Sequence, residues 1–243
     1  MNRRRRSGEK EKKMEGKRVP FIHRIYESPQ SGQQIEVESF AVIDREAPGH
    51  DFSSEQWEVV RRLIHATGDF SLAESVRFSA EAIPAAVAAL KGGRPLFVDS
   101  NMIRSGLSLA RLRAVHAGYG LEHLVCHVAD EDVAAEALAR GLPRSLFAVR
   151  KARKILHGGI AVFGNAPVAL LELNRMMMEE DLRPVFVVAM PVGFVHVVES
   201  KEELMSLDIP YIAIAGRRGG SPLAVSVIHA LCLLAEGETI LTA

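Results

Sequence analysis

A chain of 243 residues with 48% hydrophobic and 25% charged side chains can close one α/β domain around a sizeable core. Its formal charge is zero, yet residues 1–18 hold nine Lys/Arg against three Glu, which leaves about −6 on the remainder. A body of that sign argues against nucleic-acid binding, and no apolar run approaches the roughly 18 residues that span a bilayer.

The basic stretch reads as a solvated, disordered tail over residues 1–19, followed by one domain over 20–243. It contains no hydrophobic signal core, which points to the cytoplasm. Ile35–Ile43 alternates partly and suits an extended or short helical segment. Ser53 or Ser54 then caps a helix through Trp57, Val60, Leu63 and Ile64, whose apolar residues recur at helical spacing, and Gly68 ends it. A second helix covers Ala80–Leu90 and closes on Gly92-Gly93.

From there short apolar runs alternate with helical patterns. Pro95–Val98 reads as a strand ending at Asp99, and Leu124–Val128 as another before a helix over Glu131–Arg140. Gly159–Phe163 precedes a helix over Asn165–Met178, with Asn165 as its cap and Pro167 in the first turn. Val185–Ala189 is a β-prone run, Ser200-x-x-Glu203 a capping box, and Tyr211–Ala215 the last strand before a helix from Ser221-Pro222 to about Ala235. Continuous apolar strands between helices indicate a doubly wound, mainly parallel sheet with helices on both faces.

Ligands of such sheets bind beyond the carboxyl ends of the strands. That rule selects Asp99–Met102, Gly164-Asn165, Pro191–Phe194 and Gly216–Ser221. In the last of these, glycines let backbone N–H groups approach a ligand, a helix N-terminus favours negative charge, and Arg217 and Arg218 offer donors to carboxylate or phosphate. The loop fits neither a Walker A frame nor GxGxxG. Arg62 and His65 lie three apart and can share a helix face, with Thr67-Gly68-Asp69 where that helix ends. His116, His123 and His127 cluster in sequence without a recognised ligand spacing, so no metal site is expected, and Cys126 and Cys232 read as buried free thiols. Spacing alone assembles no Ser–His–Asp or paired-carboxylate arrangement; it leaves open a phosphate-binding α/β enzyme using Gly216–Ser221 and a non-catalytic ligand carrier.

Several stretches taken together resemble the precorrin-8 methylmutase family from Tyr26 to Leu234. They are Ile35–Ile43 with its Glu-Ser-Phe step, Arg62–Gly68, Asp99–Met102, Phe163–Pro167, Met190–Val195, Glu199–Glu202 and Gly216–Ser221, in matching order. The resemblance implies an isomerase of cobalamin biosynthesis that moves a methyl group from C-11 to C-12 of precorrin-8X or its cobalt counterpart, giving hydrogenobyrinate or cobyrinate. It places the catalytic histidine at His65 and substrate contacts at Ser39 and Arg62, and it suggests a homodimer. With the strand-end rule, the expected substrate-binding set grows by Thr67, Asp99, Met102, Asn165, Arg217, Gly220 and Ser221. His229 departs from the pattern, since many relatives carry Asn there. An intramolecular methyl shift needs no redox cofactor, and the partner expected is the tetrapyrrole alone.

Overall fold

The structure, a computed structural model, describes residues 19–237. All but the last residue of the basic tail therefore lies outside the described residues. The chain divides into two compact units, residues 1–39 and 40–243. In the first, helix α1 (Ile22–Glu27) buries none of its side chains. Helix α2 (Gly32–Glu46) begins there with a reciprocal cap: Gln34 N–H donates to Ser31 Oγ at 3.2 Å, and Ser31 N–H to Gln34 Oε1 at 2.7 Å. Ile35–Ile43 is thus helix interior throughout, which resolves the extended-or-helical expectation.

The second unit is a layered α/β fold. Helix α3 (Ser54–Thr67) opens on a capping box between Ser53 and Gln56 and ends on Gly68, whose φ of 65° is the left-handed geometry that glycine accepts without strain. After a 3-10 turn (Phe70–Ser75) come β1 (Val76–Phe78), α4 (Ala82–Lys91) and β2 (Leu96–Val98). Helices α5 (Asn101–Gly106) and α6 (Leu109–Val115) lead to β3 (Leu124–Val125). Helices α7 (Glu131–Arg140), α8 (Arg144–Lys151) and α9 (Arg153–Leu156) lead to β4 (Ile160–Phe163). Then α10 (Pro167–Glu180), β5 (Phe186–Ala189), α11 (Val197–Met205), β6 (Tyr211–Ile214) and α12 (Ser221–Glu236) complete the unit.

Among the described residues the strands form one sheet in the order β1-β6-β5-β4-β2-β3, parallel except for β1, which runs antiparallel to β6 with Val76 opposite Ile214. Strands β2, β4, β5 and β6 bury both faces, whereas edge strand β1 leaves Arg77 exposed. Leu96, Val98, Ile160, Val162, Val188 and Ile212 pack with Val60 and Leu63 of α3, Ala86 and Leu90 of α4, and Val227 and Leu231 of α12. Their neighbours Phe97, Ala161, Phe163, Val187 and Ala213 point the other way, onto Val149, Leu156, Leu170, Leu173 and Leu204 of α8 to α11. Two-sided burial is why the strands read as unbroken apolar runs rather than alternating ones. No helix of the described residues is long and apolar enough to cross a membrane.

Three local expectations are corrected. Ser200 opens no helix: α11 starts at Val197, and Ser200 lies inside it, fully buried, donating to the Val197 carbonyl at 2.9 Å. The cap of α10 is Ala166, in extended geometry without a side-chain cap, rather than Asn165; the Asp99 carboxylate after β2 accepts from the N–H groups of both residues. Cys126 is half-buried, whereas Cys232 is buried as expected, and both thiols are free.

Candidate active site

Chain direction in the sheet reverses between β2 and β4: the chain passes from β2 to β3 on one side, then returns past β2 to β4, β5 and β6 on the other. Ligands of open α/β sheets bind at such a switch point, here the carboxyl ends of β2 and β4. Asp99 lies there. The carboxylate, 2% exposed, accepts from Gly164 N–H at 3.1 Å, Asn165 N–H at 2.8 Å and Ala166 N–H at 2.7 Å. Burial pushes the Asp99 carboxyl above its ordinary range, and the three donors oppose that rise. Asp99 thus holds the turn before α10. Asn165 lends the turn its backbone. The donors an anion would seek at the start of α10 are already filled by an internal carboxylate.

The start of α12 is drawn into the same place. Ser100, the cap of α5, has its hydroxyl 3.0 Å from that of Ser221. A Cβ on Gly164 would lie 2.7 Å from the Cα of Ser221, so only glycine lets the two turns meet. Gly220 N–H donates to the Met190 carbonyl at 2.7 Å, and a Cβ on Gly219 would overlap the carbonyls of Met190 and Pro191. The turns after β2, β4, β5 and β6 thus form one continuous rim, bringing Asp99, Asn165, Gly220 and Ser221 together. Met102 stands on it, 64% exposed.

The two arginines of the loop differ. Arg218 is held: its Nη1 lies 3.1 Å from the Asp69 carboxylate and donates to Ser71 Oγ at 2.9 Å. Asp69, which also accepts from Ser71, has its carboxyl held below the ordinary range, chiefly by that serine. Arg217 is exposed and lays its guanidinium 5.6 Å from the ring centroid of Phe194, itself 84% exposed. From inside the fold, the ammonium of Lys201 donates to the carbonyls of Gly216 at 3.0 Å and Arg218 at 2.7 Å.

The Asp69–Arg218 pair joins the loop to the end of α3. Arg61 fixes α3 from within, pairing with Asp44 at 2.7 Å and Glu58 at 2.6 Å, while Trp57 Nε1 donates to Asp44 at 2.8 Å. Arg62 and His65 share a face through one ring: the Arg62 guanidinium lies 5.3 Å, and the His65 imidazole 5.0 Å, from the ring centroid of Phe40. Arg62 is buried and His65 exposed. The Thr67 hydroxyl donates to the Leu63 carbonyl at 3.0 Å and accepts from Asp69 N–H at 3.3 Å, so it shapes the helix end. Ser39 belongs to the first unit, where its hydroxyl donates to the Ile35 carbonyl at 2.7 Å. His229, the departure in the last helix, accepts from Ser108 N–H at 3.0 Å.

Sequence reasoning passed over Ser71 and gave no role of their own to Phe40, Asp69, Phe194 and Lys201, although each lies in a stretch it marked. Lys201 had a signal, since Val197, Lys201 and Leu204 follow one helix face and a lysine among apolar neighbours needs a partner. A cavity of about 530 Å³, walled by Phe52, Trp57, Ile64, Phe70 and Val76, opens beside the 3-10 turn and contains none of the expected site residues. It touches the rim only through Ser71. Among the described residues no group of His, Cys, Asp and Glu is arranged to hold a metal ion.

Residues 34–234 match a protein family described as precorrin-8X methylmutase. The chain is 42% identical over 213 residues to the cobalt-precorrin-8 methylmutase of Leptospira interrogans, spanning 84% of this chain and 94% of that protein. It is 36% identical over 202 residues to the precorrin-8X methylmutase of Pseudomonas aeruginosa, spanning 82% and 94%. The crystal structure of a precorrin-8x methyl mutase from Thermus thermophilus superposes with a TM-score of 0.77 at 42% identity, over 85% of this chain and 97% of that one.

Proposed function

Because the chain belongs to the precorrin-8X methylmutase family, we propose that its strand-end rim holds a tetrapyrrole while His65 exchanges a proton with the ring as one methyl group migrates. The protein is an isomerase of cobalamin biosynthesis. In this reading the substrate is precorrin-8X or cobalt-precorrin-8, the methyl leaves C-11 and bonds to C-12, and the product is hydrogenobyrinate or cobyrinate. One carbon–carbon bond breaks and one forms within the same molecule, and the ring double bonds shift between them. The proton that His65 gives is returned, so substrate and product contain the same atoms.

The observation that carries the reading is the family match over residues 34–234, which spans the whole rim and the end of α3. An exposed imidazole at that helix end is placed to give a proton to a bound ring and take it back. A macrocycle edged with carboxylates on an otherwise acidic protein needs local cations. Arg217 takes one of those carboxylates, since its guanidinium faces outward while that of Arg218 is engaged with Asp69. Ser39, Arg62, Thr67, Met102, Gly220 and Ser221 complete the proposed contact set, with Asp99 and Asn165 holding the turn beneath it. A homodimer working in the cytoplasm is the form we assign to the enzyme, on the family resemblance and its biosynthetic role.

Incubation of the purified protein with precorrin-8X and no added cofactor tests this. The absorption spectrum changes, because moving the methyl alters conjugation, while the mass of the tetrapyrrole stays constant. A product of different mass, or a strict need for a nucleotide or methyl donor, rules the isomerase mechanism out.

A further inference from the structure

Lys201 is fully buried in α11, yet among the described residues its ammonium has no carboxylate partner. It donates instead to the carbonyls of Gly216 and Arg218, the residues on either side of Arg217. A buried ammonium carries a desolvation cost that a methionine of similar length would avoid. Few other side chains can reach both carbonyls from a helix and offer each a charge-assisted donor.

We propose that Lys201 is a positioning residue that pins the Gly216–Ser221 loop so that Arg217 is presented to a substrate carboxylate. The inference rests on the reading of that loop as a carboxylate site. With the flanking carbonyls turned inward onto Lys201, the Arg217 side chain is turned outward, where its guanidinium lies beside Phe194. The clamp depends on charge, and burial pushes the Lys201 ammonium down to about 8. Protonated lysine therefore gives both carbonyls charge-assisted donors below about pH 8, and the neutral amine above that value offers only weaker N–H donors, which loosens the loop.

The surrounding charges are committed elsewhere. On α11 itself Glu199 and Glu202 are exposed, and Glu203 accepts from Asn174 of α10. On α10, Glu172 is paired with Arg150 and Arg175, Glu179 with Arg175, and Glu180 with Arg153 and Arg175. Tyr211 of β6 is half-buried, and Arg218 on the loop is paired with Asp69.

The test is hydrogenobyrinate affinity from pH 6.5 to 9.5, with turnover in parallel, for the natural protein, Lys201→Met and Arg217→Ala. The natural protein binds more weakly as the pH passes about 8, although the ligand carboxylates stay ionised throughout. Lys201→Met binds about tenfold more weakly at pH 7, the loss of a charge-assisted contact, and shows no change across pH 8. Its KM rises by a similar factor while kcat at saturation falls much less. A Lys201→Met affinity within twofold of natural, or a flat natural profile across pH 8, overturns the inference; if the variant does not fold, the natural profile decides. Arg217→Ala separates the two ideas. Weakened binding there, with no effect at Lys201, removes the clamp and keeps the loop, whereas unchanged binding removes the loop reading and the clamp with it.

Discussion

His65 sits one turn from the end of α3 with its imidazole exposed and one side against Phe40. A proton carrier needs that combination of solvent access and fixed orientation. His65→Ala lowers turnover by about 10²- to 10⁴-fold, the usual worth of a positioned acid/base group, and leaves hydrogenobyrinate binding largely intact. A folded variant with near-natural turnover removes the proposed role. At this scale the sequence marks positions but not the directions in which their side chains turn. Asp99, Asn165 and Ser221 were legible as strand-end residues, and the structure gathers them on one rim. Spacing does not say where a carboxylate points, so Asp99 read as a ligand contact although its oxygens take three backbone donors. The link from Asp69 and Ser71 to Arg218 was not legible, because the partner lies about 150 residues away.

At the level of elements, local chemistry was readable wherever it was self-contained. Ser53 with Gln56 and Gly68 mark both ends of α3 from within a few residues, and the structure uses both. The Ser200–Glu203 pattern has the same letters and fails, because α11 already begins at Val197, after His196 in left-handed geometry at φ 60°. Strand β1 stayed invisible for a different reason: three residues define it, and its partner is β6. Loop contacts between elements invite a sharper test at Gly219, whose backbone lies against the Met190 and Pro191 carbonyls. Gly219→Ala forces the loop off β5 and breaks the Gly220–Met190 hydrogen bond, costing about 2 kcal/mol or more of stability. Urea denaturation measures that cost, and an unchanged midpoint means the turns do not need this contact.

For the whole molecule, fold class was the most legible property, since two-sided burial writes itself into every parallel strand as an apolar run. The division after Ser39 was not, because α2 runs continuously across it. The first 18 residues pair nine basic side chains with only two methionines as apolar ones. Such a segment has little to bury, and its removal leaves melting temperature and turnover unchanged. A clear fall in either quantity assigns it a docking role on the body. The two outermost strands bear on the proposed homodimer. One has three residues and the other two, so a neighbouring chain that tried to extend the sheet would find only a few backbone groups to grip. In the proposed homodimer the contact then falls to side chains on helices and loops, and the shortness of those borders also guards the sheet against open-ended stacking into fibres.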